Sequence, residues 1–191
     1  AYATMVDRSL ARLDGMRKLI LDIMDLTRIE SGQRERQVEP VDLVEVCRHA
    51  IEVAQPPADE KRVRLELAAP EKLVLDADRS ELEIVLNNLV SNAVKYNRAD
   101  GRVTVSLAEV EGGVTLSVAD TGIGMTPGEA AKLFKEFVRI KNQRTRNISG
   151  SGLGLSTVKK IVTGYYGGDV TVASEPDKGS VFTVPLRRKV T

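Results

Sequence analysis

The chain has 191 residues, 42% of them hydrophobic, and 28 Lys+Arg against 27 Asp+Glu leave a net charge of +1. That is enough apolar material for a packed core, and the balanced charge argues against nucleic-acid binding by bulk charge. One Cys (Cys47) and one His (His49) exclude a structural zinc site and a disulfide framework, and 4% aromatics with no Trp disfavour a base-stacking platform. No apolar run approaches the roughly 18 residues of a membrane span, so no segment here is expected to span a membrane. Separately, a cytoplasmic location with no membrane contact is expected, with any anchor in a longer parent. The chain opens Ala1-Tyr2-Ala3, without an initiator Met or a signal-peptide pattern, and is expected to belong to something longer.

Residues 3–31 read as one long helix. Val6, Leu10, Leu13, Met16, Ile20 and Ile23 recur at steps of three and four, Leu19, Leu26 and Ile29 widen the stripe, and Gly32 suits a C′ position. Such a helix has to bury its stripe, either on its own domain or in an oligomeric bundle. Its length, and its place before any sheet pattern, favour the bundle. Residues 33–37 are polar and read as a linker, so 1–33 and 34–191 are expected to be separate units.

The remainder alternates strands and helices. Val38–Val41 reads as a short strand. Asp42 caps a helix carrying Leu43, Val44, Cys47, Ile51 and Ala54, which Pro56-Pro57 are expected to stop. Val63, Leu65 and Leu67 alternate as a strand, and Leu73–Leu75 suggests another. Asp78 opens a helix to about Asn97. Val103–Val110 and Val114–Ala119 flank Glu111-Gly112-Gly113 as a hairpin. A short helix near Glu129–Lys135, a helix over Leu153–Gly164, and strands over Asp169–Ala173 and Ser180–Leu186 complete the pattern. Helices that interrupt an apparently antiparallel sheet predict a two-layer α+β domain.

Three stretches carry chemistry. In the helix after Asp78, Leu82, Leu86, Leu89 and Ala93 make a buried stripe, and Asn88, Asn92, Lys95 and Tyr96 share a second face. Carboxamide oxygens suit a hard cation such as Mg²⁺, and a lysine supplies charge for phosphate; a merely solvated polar face is the alternative. Asp120-Thr121-Gly122-Ile123-Gly124 ends a strand with a carboxylate that can accept from a ligand amine, and its glycines allow close backbone approach; an ordinary Asp-Gly turn is the alternative. Gly150-Ser151-Gly152-Leu153-Gly154-Leu155 opens a helix, where backbone N–H groups and the helix dipole favour an anion. It is neither a Walker A loop nor a Rossmann fingerprint, and a ligand-free hinge is the alternative. Between the last two, Lys132, Lys135, Arg139, Lys141, Arg144 and Arg146 make a basic loop that reads as a lid over phosphates, with Phe134 and Phe137 anchoring its base to the core.

Taken together and in this order, these residues resemble the ATP-binding domain of two-component sensor histidine kinases, within the wider superfamily of gyrase-type, chaperone-type and mismatch-repair ATPases. The resemblance covers roughly residues 38–187. Asn88-Leu89-x-x-Asn92-Ala93-x-Lys95-Tyr96 resembles the asparagine motif, and Asp120-x-Gly122-x-Gly124 the first glycine motif. Leu133-Phe134-x-x-Phe137-x-Arg139 resembles the phenylalanine motif, Gly150-x-Gly152-x-Gly154-Leu155 the second glycine motif, and Gly179-Ser180-x-Phe182 the closing strand. Arg28-Ile29-Glu30-Ser31-Gly32 resembles the end of the dimerisation hairpin.

The resemblance implies a mixed, mostly antiparallel sheet layered on helices (a Bergerat-type fold) after one bundle helix. It implies ATP and Mg²⁺ as cofactors, a homodimer through the N-terminal helix, and a response-regulator receiver domain as partner. Asp120 would accept from the adenine amino group, with Gly122, Ile123, Gly124, Met125 and Ser180 around it. Asn92, with Asn88 nearby, would hold Mg²⁺. Lys95 and Arg139 would meet phosphate oxygens, Tyr96 and Phe137 would lie at the nucleotide, and Gly150–Leu155, including Ser151, Gly152, Leu153 and Gly154, would close over the phosphates. Asn88, Lys95 and Arg139 would thus be the catalytic set, serving transfer of the γ-phosphoryl group to a histidine and onward to an aspartate. An amide at position 88 takes no proton, which favours phosphoryl transfer over hydrolysis.

One departure matters. His49 follows the long helix on a polar face and reads as a solvated residue, so the acceptor histidine is expected upstream of this fragment, which alone would bind ATP without phosphorylating itself. Two other readings are a related serine kinase of the anti-sigma type, which the long helix disfavours, and a non-catalytic scaffold, which the intact motifs disfavour.

Overall fold

The computed structural model describes residues 35–140, 142–146, 148 and 150–187, with residues 6, 9, 13, 15–17, 19–24, 27 and 29 before them. All the described residues before 30 are helical. Val6, Leu13, Met16 and Ile20 of the predicted stripe stand more than half exposed in the single chain. Ile29 packs against the core. The expected stop at Gly32, most of the Arg28–Gly32 motif, and Lys141 lie outside the described residues.

Strand β1 (Val38–Asp42) pairs antiparallel with β3 (Val74–Asp78) as a two-stranded sheet. Each of these strands ends in an aspartate that caps the next helix or supports its start. Asp42 accepts from the Val44 N–H at 3.0 Å and opens α1 (Leu43–Glu60), and Asp78 accepts from the N–H groups of Ser80 and Glu81 and opens α2 (Arg79–Lys95). Helix α1 buries Val46, Cys47, Ala50, Ala54 and Ala58. Cys47 is wholly buried, and burial pushes its thiol up to about 12.

The expected stop at Pro56-Pro57 is wrong: α1 runs through both to Glu60. Both prolines are exposed, as are Glu52 and Val53, whose carbonyls lose their i+4 donors. Ala54 and Ala58, one turn apart, stay buried. The unpaired carbonyls therefore lie on the wet side while the inner face keeps its packing.

The main sheet has strand order β2-β4-β5-β7-β6, from β2 (Arg64–Ala68), β4 (Arg102–Val110), β5 (Gly113–Asp120), β6 (Thr171–Glu175) and β7 (Gly179–Arg187). The β4–β5 hairpin turns at Glu111-Gly112 as expected, with Gly112 at φ 79°. The sheet is not wholly antiparallel, because β2 pairs parallel with β4 after a crossover through β3 and α2. Val103, Val105 and Leu107 alternate inward with Val114, Leu116 and Val118, and with Phe182, Val184 and Leu186. On that face lie α2 and α4 (Gly154–Tyr165), which bring Leu82, Leu86, Leu89, Ala93, Val158 and Ile161 into the same core. The second layer includes α1, packed on α2 and β2. The fold is therefore α+β with a mixed, mostly antiparallel sheet. The helix expected over Glu129–Lys135 is shorter and earlier: α3 (Pro127–Ala130) starts at a Thr126/Glu129 capping box, and turns follow it.

Candidate functional site

A cleft opens between the solvent-side edge of α2, the Asp120 end of β5, the Ser180 end of β7 and the loop that precedes α4. The position of its polar side chains follows from helix periodicity. Because Leu82, Leu86, Leu89 and Ala93 face the sheet, Asn88 and Asn92, one turn apart, and Lys95 reach the cleft.

The Asn88 amide donates to the Ile84 carbonyl at 2.8 Å. Its Oδ1 stands against the first residue of α4, so a Cβ on Gly154 would come within 2.2 Å of it. Among the described residues the Asn92 carboxamide has no hydrogen-bond partner within the chain. The Lys95 ammonium lies 5.2 Å from the Tyr96 ring centroid and beside Gly150.

The other end of the cleft is made of backbone. Asp120 accepts from the Gly122 N–H at 2.8 Å. Burial raises its carboxyl to about 6, with the N–H groups of Gly122 and Ser180 pulling the other way. Ile123 N–H donates to the Tyr96 carbonyl at 3.1 Å, which ties this segment to the end of α2. Met125 N–H donates to the Ser174 hydroxyl, which lies 2.9 Å from the Ser180 hydroxyl. Gly124 has φ +59° and Gly179 φ +109°, and a Cβ on either would come within 1.9 Å of a neighbouring carbonyl oxygen.

The basic loop is held by bonds within itself and by two to distant parts of the chain. The Arg139 guanidinium donates to the Ile148 carbonyl. Asn142 and Thr145 close a turn, with Thr145 buried and its hydroxyl donating to the Ile140 carbonyl. Arg144 forks onto Asp177 in the β6–β7 turn at 2.6 and 3.3 Å. Ser151 donates to the Asp22 carboxylate of the N-terminal helix.

Of the expected nucleotide residues, Asn88, Asn92, Lys95, Tyr96, Asp120, Ile123, Gly124, Met125, Arg139, Gly150, Ser151, Gly152, Gly154, Leu155 and Ser180 line the cleft. Three do not. Leu153 is fully buried in the interior. Gly122 lies against the Tyr96 carbonyl, where a Cβ would come within 2.4 Å. Phe137 is 63% exposed at φ 57°, so it does not anchor the lid to the core as expected, whereas Phe134 does pack there. Gly152 packs against the Phe137 backbone, where a Cβ would come within 3.0 Å. Sequence reasoning missed Asn142, Thr145 and Asp22 as lining residues. The Asn142-x-x-Thr145 spacing was the available signal for the first two; nothing local announces Asp22. His49 is exposed beside Glu52 and does not line the cleft.

Residues 77–190 match the family model described as histidine kinase-, DNA gyrase B- and HSP90-like ATPase. The chain is 34% identical over 176 residues to the non-motile and phage-resistance protein of Caulobacter vibrioides, covering 88% of this chain and 21% of that protein. It is 35% identical over 170 residues to the circadian input-output histidine kinase CikA of Synechococcus elongatus, covering 87% and 22%. The chain thus spans about a fifth of the length of these two relatives. The fold also matches full-length ShkA in complex with AMPPNP (TM-score 0.77, 29% identity, 100% of this chain and 40% of that one). It matches the Acinetobacter baumannii histidine kinase AdeS as well (TM-score 0.80, 23% identity, 97% and 85%). With a cleft whose five motifs fall in the order read from the sequence, the chain belongs to the histidine kinase-, gyrase B- and HSP90-like ATPase family.

Proposed function

We propose that this chain is the ATP-binding catalytic part of a sensor histidine kinase, with residues 1–33 forming part of a dimerisation helix and 34–191 the catalytic domain. The observation that carries the reading is the convergence in one cleft of a half-buried carboxylate (Asp120), two carboxamides (Asn88, Asn92), a cation (Lys95) and a glycine-rich helix start (Gly150–Gly154). Asp120 accepts from the adenine amino group, and its backbone cradle fixes where the base sits. Lys95 and Arg139 meet phosphate oxygens, and the Gly152 and Gly154 N–H groups turn toward the same anion.

The free Asn92 carboxamide fits a hard cation, and Mg²⁺ bound there would neutralise charge on the phosphates. Asn88 is no general base, because a carboxamide takes no proton, and its N–H donates to the Ile84 carbonyl. That favours transfer of the γ-phosphoryl group to another protein group over attack by water. The acceptor is a histidine on an upstream helix, and an aspartate of a response-regulator receiver domain then takes the phosphoryl group. The exposed stripe from Val6 to Met24 is the dimerisation face. No helix among the described residues is long and apolar enough to cross a membrane.

The test uses the full-length protein that carries this chain, incubated with γ-labelled ATP and Mg²⁺. Label lost in acid and kept in alkali is phosphohistidine and is the expected result. Acid-stable, alkali-labile label identifies serine chemistry and overturns the reading.

A further inference from the structure

Outside the cleft, one cluster stands apart. Glu81, in the first turn of α2, has a fully buried side chain. Its carboxylate is forked by Arg36, Nε to Oε1 at 2.7 Å and the terminal nitrogen to Oε2 at 2.8 Å. The Tyr166 hydroxyl donates to the same Oε2 at 2.8 Å. The Arg36 guanidinium also lies over the Tyr165 ring, 4.4 Å from its centroid, and 5.5 Å from that of Tyr166. Burial, and then the Glu81 charge, push the Tyr166 phenol well above its usual range, so it remains a donor.

Three parts of the chain meet at this clamp. Arg36 lies in the polar segment between the N-terminal helix and β1, Glu81 starts α2, and Tyr165-Tyr166 end α4. A surface pair would have left Glu81 hydrated; here the linker supplies the charge that a buried carboxylate requires. Helices α2 and α4 run antiparallel, so they meet again toward the other end of α4. There Gly154 packs on Asn88, where a Cβ would come within 2.2 Å of its Oδ1. The 12 residues of α4 make a rod of about 18 Å between the clamp and the glycine loop. Asn88 and Asn92 sit on the rod's partner, α2.

We propose that Arg36 is a positioning residue for the nucleotide cleft. By pinning the linker to α2 and to the far end of α4, it sets where the Gly150–Gly154 loop stands relative to Asn88 and Asn92. The proposal rests on the ATP reading of the cleft. It also gives the linker a physical route to the phosphate end: whatever displaces Arg36 frees the tail of α4, and the loop at its head moves with the rod.

Arg36→Ala alone strands a buried charge and confounds positioning with folding. The informative variant is Arg36→Ala combined with Glu81→Gln, which removes the charge and keeps an acceptor for Tyr166. Thermal unfolding, calorimetric titration with ATP and Mg²⁺, and hydrogen exchange at Leu155–Val158 are compared with the unsubstituted chain, and Arg62→Ala, which removes the exposed Arg62–Asp100 pair, serves as the control. The expected result is a Kd for ATP raised about five-fold or more, with faster exchange in the first turn of α4, at temperatures where the variant is fully folded. A purely structural role would lower the melting temperature and leave both unchanged. A Kd within about two-fold of the unsubstituted chain, with unchanged exchange, overturns the proposal. If the double variant shows no cooperative unfolding, Arg36→Lys, which keeps the charge but not the fork, is read by the same two measurements. Failure of the unsubstituted chain to bind ATP would sink the reading of the cleft instead, so the two failures are distinguishable.

Discussion

The two ends of the cleft are built from different materials. At the Asp120 end, backbone meets backbone: Gly124 and Gly179 stand where a Cβ would overlap a carbonyl oxygen at 1.9 Å, and the carboxylate is held by amides two residues away and across the sheet. At the Lys95 end, the neighbours are side-chain tips and a loop bonded largely to itself. A Cβ on Gly150 would meet only the end of the Lys95 chain, at 2.6 Å. A flat, rigid base is best recognised by atoms that cannot yield. A flexible triphosphate that must enter, react and leave is better served by atoms that can.

The contrast is sharpest in the glycines. Gly179→Ala combines a positive φ with a backbone overlap and is expected to cost about 3 kcal/mol or more, a fall in melting temperature of roughly 6–12 °C. Gly150→Ala, tested alongside, should move it by no more than about 2 °C, because Lys95 can swing aside. Equal shifts in a thermal melt would abolish the distinction between the two ends.

On the proposed reading, Asp120→Asn presents a donor where the adenine amino group would need an acceptor. It is expected to weaken ATP binding roughly 10- to 150-fold by titration calorimetry, and unchanged affinity would remove Asp120 from base recognition. The same group separates binding from stability as pH changes. Its folded carboxyl is raised to about 6, above the usual carboxylate value, so the native chain holds a proton that the unfolded chain has released. This group's contribution to stability is present at low pH and is lost as pH rises through about 6. ATP binding should run the other way, weakening below about 6 as the acceptor is protonated. Paired melts and titrations between pH 5 and 7 should therefore slope in opposite directions, and the Asn variant should lose both slopes.

At the phosphate end, Asn92→Ala should leave ATP binding indifferent to Mg²⁺; a variant that still responds fully would exclude Asn92 as the ligand. The smallest effect is expected at Arg144→Ala. Its pair with Asp177 has side chains 54% and 69% exposed, so screening and side-chain entropy hold its worth below about 1 kcal/mol. A larger loss on denaturant titration would show the lid to be more firmly built than its bonds suggest.

What was legible in the sequence divides along a similar line. The Leu82–Ala93 stripe and the Glu111-Gly112 hairpin follow from local periodicity and turn chemistry, and both are present. The alternation of Leu65 and Leu67 says which face a residue takes but not which way its neighbour runs, so the parallel β2–β4 pairing was hidden. Two prolines stop an average helix; they fail to stop α1 because the bonds they remove lie on its exposed side. In the site, motif residues were readable because each chemistry is carried by a short run. Asp22 beside Ser151, and Arg36 with Glu81, are contacts between distant segments. From sequence, each of those charges reads as an ordinary solvated residue.

Cys47 is the single thiol of the chain, fully buried on α1 and pushed far from ionisation. In the folded protein it is therefore silent to alkylating reagents. A cysteine introduced at an exposed lid position would be the one reactive handle, letting a single dye or spin label follow lid motion without removing the native residue. Left alone, Cys47 becomes a reporter of opening: the rate at which a maleimide captures it counts how often α1 lifts from the core, and ATP should slow that count.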